Sequence, residues 1–257
     1  MESIEMQAIY VMWLRQMKRF VRSKSRIVAT IVQPLFFLFI LGFGFRSADM
    51  PGVSGDYLHF LAPGIITMAI LFSSMFTGIS VLWDKQFGFL QEVLVAPISR
   101  VSIIVGRTLG GATTALIQGC FILIIALAMG VPITGILGVL FTLVFMVLIA
   151  FSAVGFGLIL ASRIEDFQGF QIIMNLLIMP LLFLSSVFFP IASNPEVPRW
   201  AAQLSFLNPL FYMVDGLRGS LTGVNNVLSP FLDLVVIFGI CLFTISLGSY
   251  LFSKSEI

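Results

Sequence analysis

The chain has 257 residues, of which 59% are hydrophobic and only 10% are charged, and its mean hydropathy is +1.08. Soluble domains carry about 25% charged residues, so this composition excludes a soluble globular protein and predicts that most of the apolar surface faces lipid. The formal net charge of +2 is too small to indicate a nucleic-acid partner.

The first element in chain order is an amphipathic segment, residues 4–22, which precedes the first apolar run. A helical wheel separates its aromatic and aliphatic side chains from its cations. The pattern is typical of a helix in the membrane interface, with cations directed towards anionic lipid. The residues assigned to this role are Trp13, Arg15, Lys18, Arg19 and Arg22. The alternative is an ordinary amphipathic helix packed on protein.

Six charge-poor runs follow, and each is long enough to cross a membrane, since a spanning helix needs about 20 residues at about 1.5 Å each. The predicted spans are residues 27–45, 57–83, 105–129, 136–161, 168–189 and 233–252. The segment 130–135, which contains glycines and Pro132, separates the third span from the fourth. The sequence therefore predicts an all-α integral membrane protein with six transmembrane helices.

The segment between the second and third spans, residues 84–100, is predicted to lie outside the membrane because charged side chains are costly within it. Pro97 ends or kinks any preceding helix, which predicts a short amphipathic helix ending near Ala96. Ser99 is positioned to cap the helix that follows.

The segment between the fifth and sixth spans, residues 190–229, is apolar but interrupted by prolines. This favours short re-entrant helices that enter the outer leaflet and return, packed on protein. Asp215 and Arg218 are three positions apart, which predicts a local ion pair worth under about 1 kcal/mol.

The distribution of cations predicts the orientation. With the N-terminus in the cytoplasm, the outer pieces carry only Arg46, Arg199 and Arg218. By the positive-inside rule, this predicts a multi-pass protein of the cell (plasma) membrane with both termini in the cytoplasm.

The sequence lacks the residue patterns of several functional sites. None of the four lysines follows a glycine, so the chain has no phosphate-binding P-loop of its own. It has a single histidine, His59, and no clustered ligands that predict a metal site. The nearly charge-free spans disfavour an ion-coupled transporter, a polar channel and a membrane enzyme. Two classes of protein remain. One moves an apolar or amphipathic substrate with energy supplied by another chain, and the other is a membrane scaffold.

Three stretches resemble the type-2 ABC exporter permeases. The first is the loop from Gly88 to Arg100, followed by Gly106 and Arg107. The second is residues 183–190, which resemble the end of the family's fifth span. The third, residues 208–218, matches the pattern N-P-x-x-Y-x-x-D-x-x-R. The resemblance covers essentially the whole chain and is greatest to the daunorubicin-resistance-type exporters of drugs and lipids. One departure is Ser186, where glycine is common in the family, and it is interpreted as a tolerated small residue.

The resemblance implies one permease domain, residues 1–257, that pairs with a second copy as a homodimer and with two copies of a separate ATP-binding subunit. ATP and Mg²⁺ would bind that partner, and this chain would carry no cofactor and no catalytic residue. Membrane lipids are the other implied partner. The implied function is export of an amphipathic or hydrophobic substrate. The alternatives are a non-transporting membrane scaffold and a facilitator that works without ATP.

The resemblance also implies roles for individual residues. The loop would dock into the ATPase as a coupling helix, and the residues assigned to it are Gly88, Glu92, Pro97, Ser99 and Arg100. From position alone, Glu92 is as well explained by a solvated helix face. The residues assigned to an outer gate are Phe188, Phe189, Pro190, Asn208, Pro209 and Tyr212. No substrate-binding residue can be chosen from the sequence.

Overall fold

A computed structural model describes residues 2–46, 49–88, 98–164 and 166–254, and the regular structure in these ranges is helical. In chain order the helices are α1 (Glu2–Arg22), α2 (Lys24–Gly44), α3 (Tyr57–Gln86), α4 (Arg100–Ala128), α5 (Ile136–Arg163), α6 (Phe167–Leu184), α7 (Arg199–Leu207), α8 (Pro209–Leu221) and α9 (Pro230–Lys254).

Six of these helices are long and apolar enough to cross a membrane, namely α2, α3, α4, α5, α6 and α9. The all-α fold and the number of spans predicted from the sequence are thereby confirmed. The two short helices α7 and α8 lie in the proline-interrupted segment between the last two spans.

The core of the bundle runs along α3, whose most apolar stretch is 83% buried, whereas the corresponding stretches of α2 and α6 are only 22% buried. Helix α3 packs against α2, α4 and α5. Its contact with α5 is close, because a Cβ atom added at Gly78 would lie 2.6 Å from the carbonyl oxygen of Gly157. The outward faces of α2 and α6 carry large exposed apolar side chains, which suits a lipid environment.

Helix α6 ends at Leu184 because the chain turns sharply after it. Ser186 adopts a φ of +59°, a left-handed conformation that a helix cannot continue through. The carbonyl oxygen of Ser186 points away from the helix and accepts a hydrogen bond from the side chain of Arg218.

The two ends of the bundle differ in their buried charges. The Asp84 end contains the last turns of α3 and the first turns of α4. The Arg218 end contains the beginning of α3, the turn after α6 and helix α8.

Candidate functional site: the Asp84 cluster and the loop it borders

Helix α1 lies along α4 at the Asp84 end. The indole Nε1 of Trp13 donates a hydrogen bond to Oγ1 of Thr113 at 3.1 Å. Gly106 permits the close approach of the two helices, because a Cβ atom there would lie 2.7 Å from both the carbonyl oxygen of Ile9 and the Cβ of Met12. The packing on protein, which was the alternative interpretation of this helix, is therefore present along one face.

The opposite side of α1 is exposed and carries both apolar and cationic side chains. Met6 and Val21 are 69% and 67% exposed, and Lys18 and Arg22 are exposed as well. A location of this side in the membrane interface stays a prediction.

Asp84 forms the centre of a charged cluster, which we call the Asp84 cluster and define as Arg15, Arg19, Asp84 and Arg107. Arg15 binds the carboxylate through both terminal nitrogens, with Nη1 2.9 Å from Oδ2 and Nη2 2.7 Å from Oδ1. Nη1 of Arg19 lies 3.4 Å from Oδ1. Nη2 of Arg107 lies 2.7 Å from Oδ2. Helices α1, α3 and α4 are therefore joined at one carboxylate.

The cluster contains three cations for one anion, and its members differ in burial. The side chains of Asp84 and Arg107 are 4% and 3% exposed, whereas those of Arg15 and Arg19 are 31% and 27% exposed. Nε and Nη1 of Arg107 are buried and have no hydrogen-bond partner among the described residues. Asp84 therefore compensates a buried charge that would otherwise be very costly.

The Asp84 cluster differs from the sequence-based expectation for two cations. Arg15 and Arg19 were expected to face anionic lipid, but the structure directs their guanidinium groups at Asp84. The physical reason is that the Asp84 carboxylate is only 4% exposed and needs charged donors, and Arg15 binds it through two charge-assisted hydrogen bonds.

Helix α1 also contacts the start of α4 near its own N-terminus. The Glu5 carboxylate accepts hydrogen bonds from the backbone N–H of Ser99 at 3.0 and 3.2 Å and from its hydroxyl at 2.8 Å. Hydrogen bonds from the side chains of Ser102 and Ser99 hold the pKa of the Glu5 carboxyl below its usual range. The Ser99 hydroxyl accepts from the N–H of Ser102 at 3.1 Å, so the predicted helix cap is confirmed.

These contacts place α1 against both ends of the segment 87–99 that joins α3 to α4. Arg15 binds Asp84 in the last turn of α3, and Glu5 binds Ser99 at the cap of α4. Helix α1 is therefore bonded to described residues on both sides of the segment 89–97.

The loop residues with an implied coupling role are only partly described. Gly88 has a φ of +73°, which favours glycine, and Arg100 is the first residue of α4. Glu92 and Pro97 fall within 89–97, outside the described residues, so their roles stay predictions.

At the Arg218 end, Arg218 is fully buried and binds backbone carbonyl groups. Its Nε donates to the carbonyl oxygen of Phe60 at 3.1 Å, and its Nη2 donates to that of Ser186 at 2.7 Å. The guanidinium carbon lies 3.9 Å from the centre of the Phe60 ring. Arg218 thereby connects α8 to α3 and to the turn after α6.

The ion pair predicted between Asp215 and Arg218 is wrong. The Asp215 carboxylate instead accepts hydrogen bonds from the backbone N–H groups of Val227 and Leu228, the shortest at 2.8 Å. Both side chains are buried to 1% exposure or less. Asp215 therefore binds N–H groups of the turn after α8, and Arg218 binds carbonyl groups of α3 and of the turn after α6, so the short sequence separation does not bring the two charges together.

The residues assigned to an outer gate lie in two contact regions. In the first, Phe188 and Pro190 are buried while Phe189 is 44% exposed. The hydroxyl of Tyr57 donates to the carbonyl oxygen of Phe188 at 2.6 Å. No pattern in the sequence indicates this contact.

In the second region, Asn208 and Pro209 form the start of α8. The side chain of Asn208 accepts from the N–H of Leu210 and donates to the carbonyl oxygen of Leu181 in α6. The hydroxyl of Tyr212 donates to the carbonyl oxygen of Phe206 at 2.8 Å. These contacts explain how the segment is held; a gating role for the six residues stays a prediction.

Comparison with known proteins identifies related chains. The family model for ABC-2 type transporters matches residues 7–222. The inner membrane transport permease YadH of Escherichia coli K12 is 30% identical over 91% of this chain and 88% of its own length. A protein assigned as transport permease ycf38 in Cyanophora paradoxa is 27% identical over 82% of this chain and 73% of its own length. The "Probable multidrug ABC transporter permease YbhR" of Escherichia coli K12 is 29% identical over 62% of this chain and 43% of its own length.

Proposed function

The chain belongs to the ABC-2 type transporter family, whose members in the comparison are named transport permeases, and we propose that it is the membrane-spanning subunit of an ABC exporter. In this proposal the substrate is amphipathic or hydrophobic, such as a drug or a lipid. A separate ATP-binding subunit supplies the energy, since the sequence has no P-loop of its own.

The observation that carries the proposal is the attachment of α1 to both ends of the segment 87–99. That segment carries the resemblance to the family's coupling loop, and it is joined directly to α3 and α4. A rearrangement of the ATP-binding subunit against this loop would act on the Asp84 cluster and on the Glu5–Ser99 contact together. Helices α1, α3 and α4 would then move as a unit, as a rigid-body switch requires.

An apolar substrate is supported by a cavity of about 220 Å³ between α2, α3 and α6. Its lining is almost entirely apolar, and it includes Phe188 and Phe189 from the predicted outer gate. Pockets for drug-sized ligands measure about 300–1,000 Å³, so this cavity is too small to enclose such a substrate. We therefore assign the remainder of the path to a second copy of the chain, in a homodimer with two ATP-binding subunits.

The experiment is to co-express the chain with a candidate ATP-binding subunit, reconstitute the purified complex into liposomes and measure ATP-dependent movement of fluorescent lipids and amphipathic dyes. The expected result is co-purification of the ATPase and transport that requires ATP and Mg²⁺. Substrate movement that does not need ATP would establish the facilitator alternative. A stable complex with no transport of any substrate class would favour the scaffold.

A further inference from the structure

The junction of α1 and α2 contains a cleft of about 890 Å³ that the proposed function does not use. Its lining includes the side chains of Arg15, Lys18, Arg19, Arg22 and Lys24 and contains no acidic residue. We call this feature the junction cleft.

Three of the five cations that line the junction cleft have no anionic partner among the described residues. Arg15 and Arg19 are directed at Asp84, which also binds Arg107. Within the described part of the chain, Lys18, Arg22 and Lys24 form no ion pair. The cleft therefore presents a strong positive potential to an anion.

The beginning of α2 adds backbone donors to the same cleft. Ser23, Lys24 and Ser25 line it, and they are the cap and first residues of that helix. The Ser23 side chain makes no capping hydrogen bond, so the first-turn N–H groups lack the acceptor that a cap normally supplies. N–H groups at a helix N-terminus together with arginine and lysine side chains are the usual elements of a phosphate site.

The surroundings favour a lipid phosphate over a soluble one. Helix α2 is a candidate span that begins at this point, which places the cleft where lipid headgroups lie. Val11 and Leu14 also line it, and Val11 is 58% exposed, so an apolar surface is available beside the cations. An ionic headgroup with an attached acyl chain fits this combination of cationic and apolar lining.

We propose that the junction cleft binds the phosphate-bearing headgroup of an anionic lipid, such as phosphatidylglycerol. This proposal rests on the membrane location of α2 and not on the export function. Arg15 and Arg19 line the cleft and also belong to the Asp84 cluster. A phosphate bound beside Lys18 and Arg22 lies next to these two arginines, so it adds negative charge where α1 is attached and strengthens that attachment.

The test compares two double variants of the full-length chain purified in mild detergent. The first is Lys18→Gln/Arg22→Gln, which removes two exposed cations of the cleft and leaves the Asp84 cluster intact. The control is Arg163→Gln/Lys254→Gln, which removes two exposed cations at the ends of α5 and α9. Native mass spectrometry with titrated phosphatidylglycerol or phosphatidylcholine measures the affinity for each lipid.

The first variant should bind phosphatidylglycerol about 10- to 30-fold more weakly than the wild type, since each basic residue near an anionic lipid contributes about one factor of five. The control should bind as the wild type does, and phosphatidylcholine should bind weakly to all three proteins. Glycerol phosphate and inorganic phosphate at the lipid concentration should not compete. In hydrogen exchange, phosphatidylglycerol should protect α1 of the wild type and of the control, but not of the first variant.

Equal weakening in the two double variants would overturn the proposal, because the attraction would then be non-specific. Competition by inorganic phosphate at equal concentration would also overturn it in favour of a soluble anion. In a parallel co-purification with the ATP-binding subunit, loss of that subunit from the first variant with unchanged lipid affinity would overturn the proposal and assign the surface to protein docking. If the double variant unfolds, the single variant Lys18→Gln, at an exposed position, should still show about a three- to fivefold loss, and an unchanged affinity there would contradict the proposal.

Discussion

Replacing Asp84 by asparagine should strongly destabilise the protein at the Asp84 end. The substitution keeps the shape of the side chain but leaves Arg107, which is 3% exposed, as a buried cation without a counter-charge. Removing one partner of a buried ion pair costs about 3–5 kcal/mol. Arg15 and Arg19 are about a third exposed or less, so water screens them and each adds less than about 1 kcal/mol. The expected loss is therefore set by Arg107.

The free energy of unfolding can be followed in mixed micelles by titrating a denaturing detergent and recording tryptophan fluorescence. Trp83 is a suitable reporter, because the Arg19 guanidinium lies 5.2 Å from its ring. The double variant Asp84→Asn/Arg107→Met should be more stable than Asp84→Asn, since it removes the uncompensated charge and fills the space. Asp49→Asn, at an exposed position, is the matched control and should be neutral.

Two results would refute this reasoning. One is a loss below about 1 kcal/mol for Asp84→Asn, which would mean that the arginines find other partners or water. The other is a double variant no more stable than the single one, which would mean that the charge of Arg107 is not the source of the loss.

Three further substitutions test other contacts. Glu5→Gln should speed hydrogen exchange at the start of α4 several-fold at neutral pH relative to Glu196→Gln, and equal exchange in both variants would show that the Glu5 contact does not stabilise this turn. Lowering the pH should reproduce the effect in the wild type. Because the pKa of Glu5 is depressed, its contact with Ser99 is fully present above about pH 4.3 and is lost as the pH falls through the lowered pKa. Ser186→Gly should raise the free energy of unfolding by about 0.5–1 kcal/mol. Glycine adopts the φ of +59° without strain, and the substitution removes a buried hydroxyl that has no hydrogen-bond partner among the described residues. A decrease in the free energy of unfolding would show that the serine is not strained. Asp233→Asn should leave stability at pH 7 unchanged or raise it, because this buried carboxyl lies close to the Asp215 carboxylate and an amide in its place removes the repulsion between two like charges; a loss above about 2 kcal/mol in thermal unfolding would mean that its charge has a counter-charge.

The apolar runs were sufficient to predict the helices and the number of spans, because the length of a membrane helix is fixed by the bilayer. The helix cap at Ser99 could also be predicted, because the hydrogen bond of a capping serine joins it to a residue only three positions further along the chain.

The Asp84 cluster could not be predicted in the same way. Asp84 is separated from Arg15 by 69 residues, and both were interpreted as charges outside the membrane. The information that was missing is which helices pack together. The density of cations in residues 15–26 was a visible signal that a partner of opposite charge was needed, and Asp84 is an acidic residue beside a predicted span.

The contacts of Asp215 and Arg218 show the limit of spacing arguments. A separation of three residues favours an ion pair on an exposed helix, but both residues are buried in α8. In these buried positions, Asp215 binds backbone N–H groups and Arg218 binds backbone carbonyl groups, which satisfies both side chains without an ion pair. At Ser186, where the resemblance to the family indicated glycine as the common residue, the structure shows a positive φ, which explains the preference for glycine.

The coupling role of the loop between α3 and α4 is tested most directly in the reconstituted complex of the chain with its ATP-binding subunit, by measuring ATP hydrolysis and substrate transport together. Glu92→Ala is compared with Glu196→Ala, which removes a carboxylate from the loop after α6. The coupling proposal predicts that Glu92→Ala abolishes transport and alters substrate-stimulated hydrolysis, while Glu196→Ala behaves as the wild type does. Unchanged hydrolysis and unchanged transport in Glu92→Ala would contradict it.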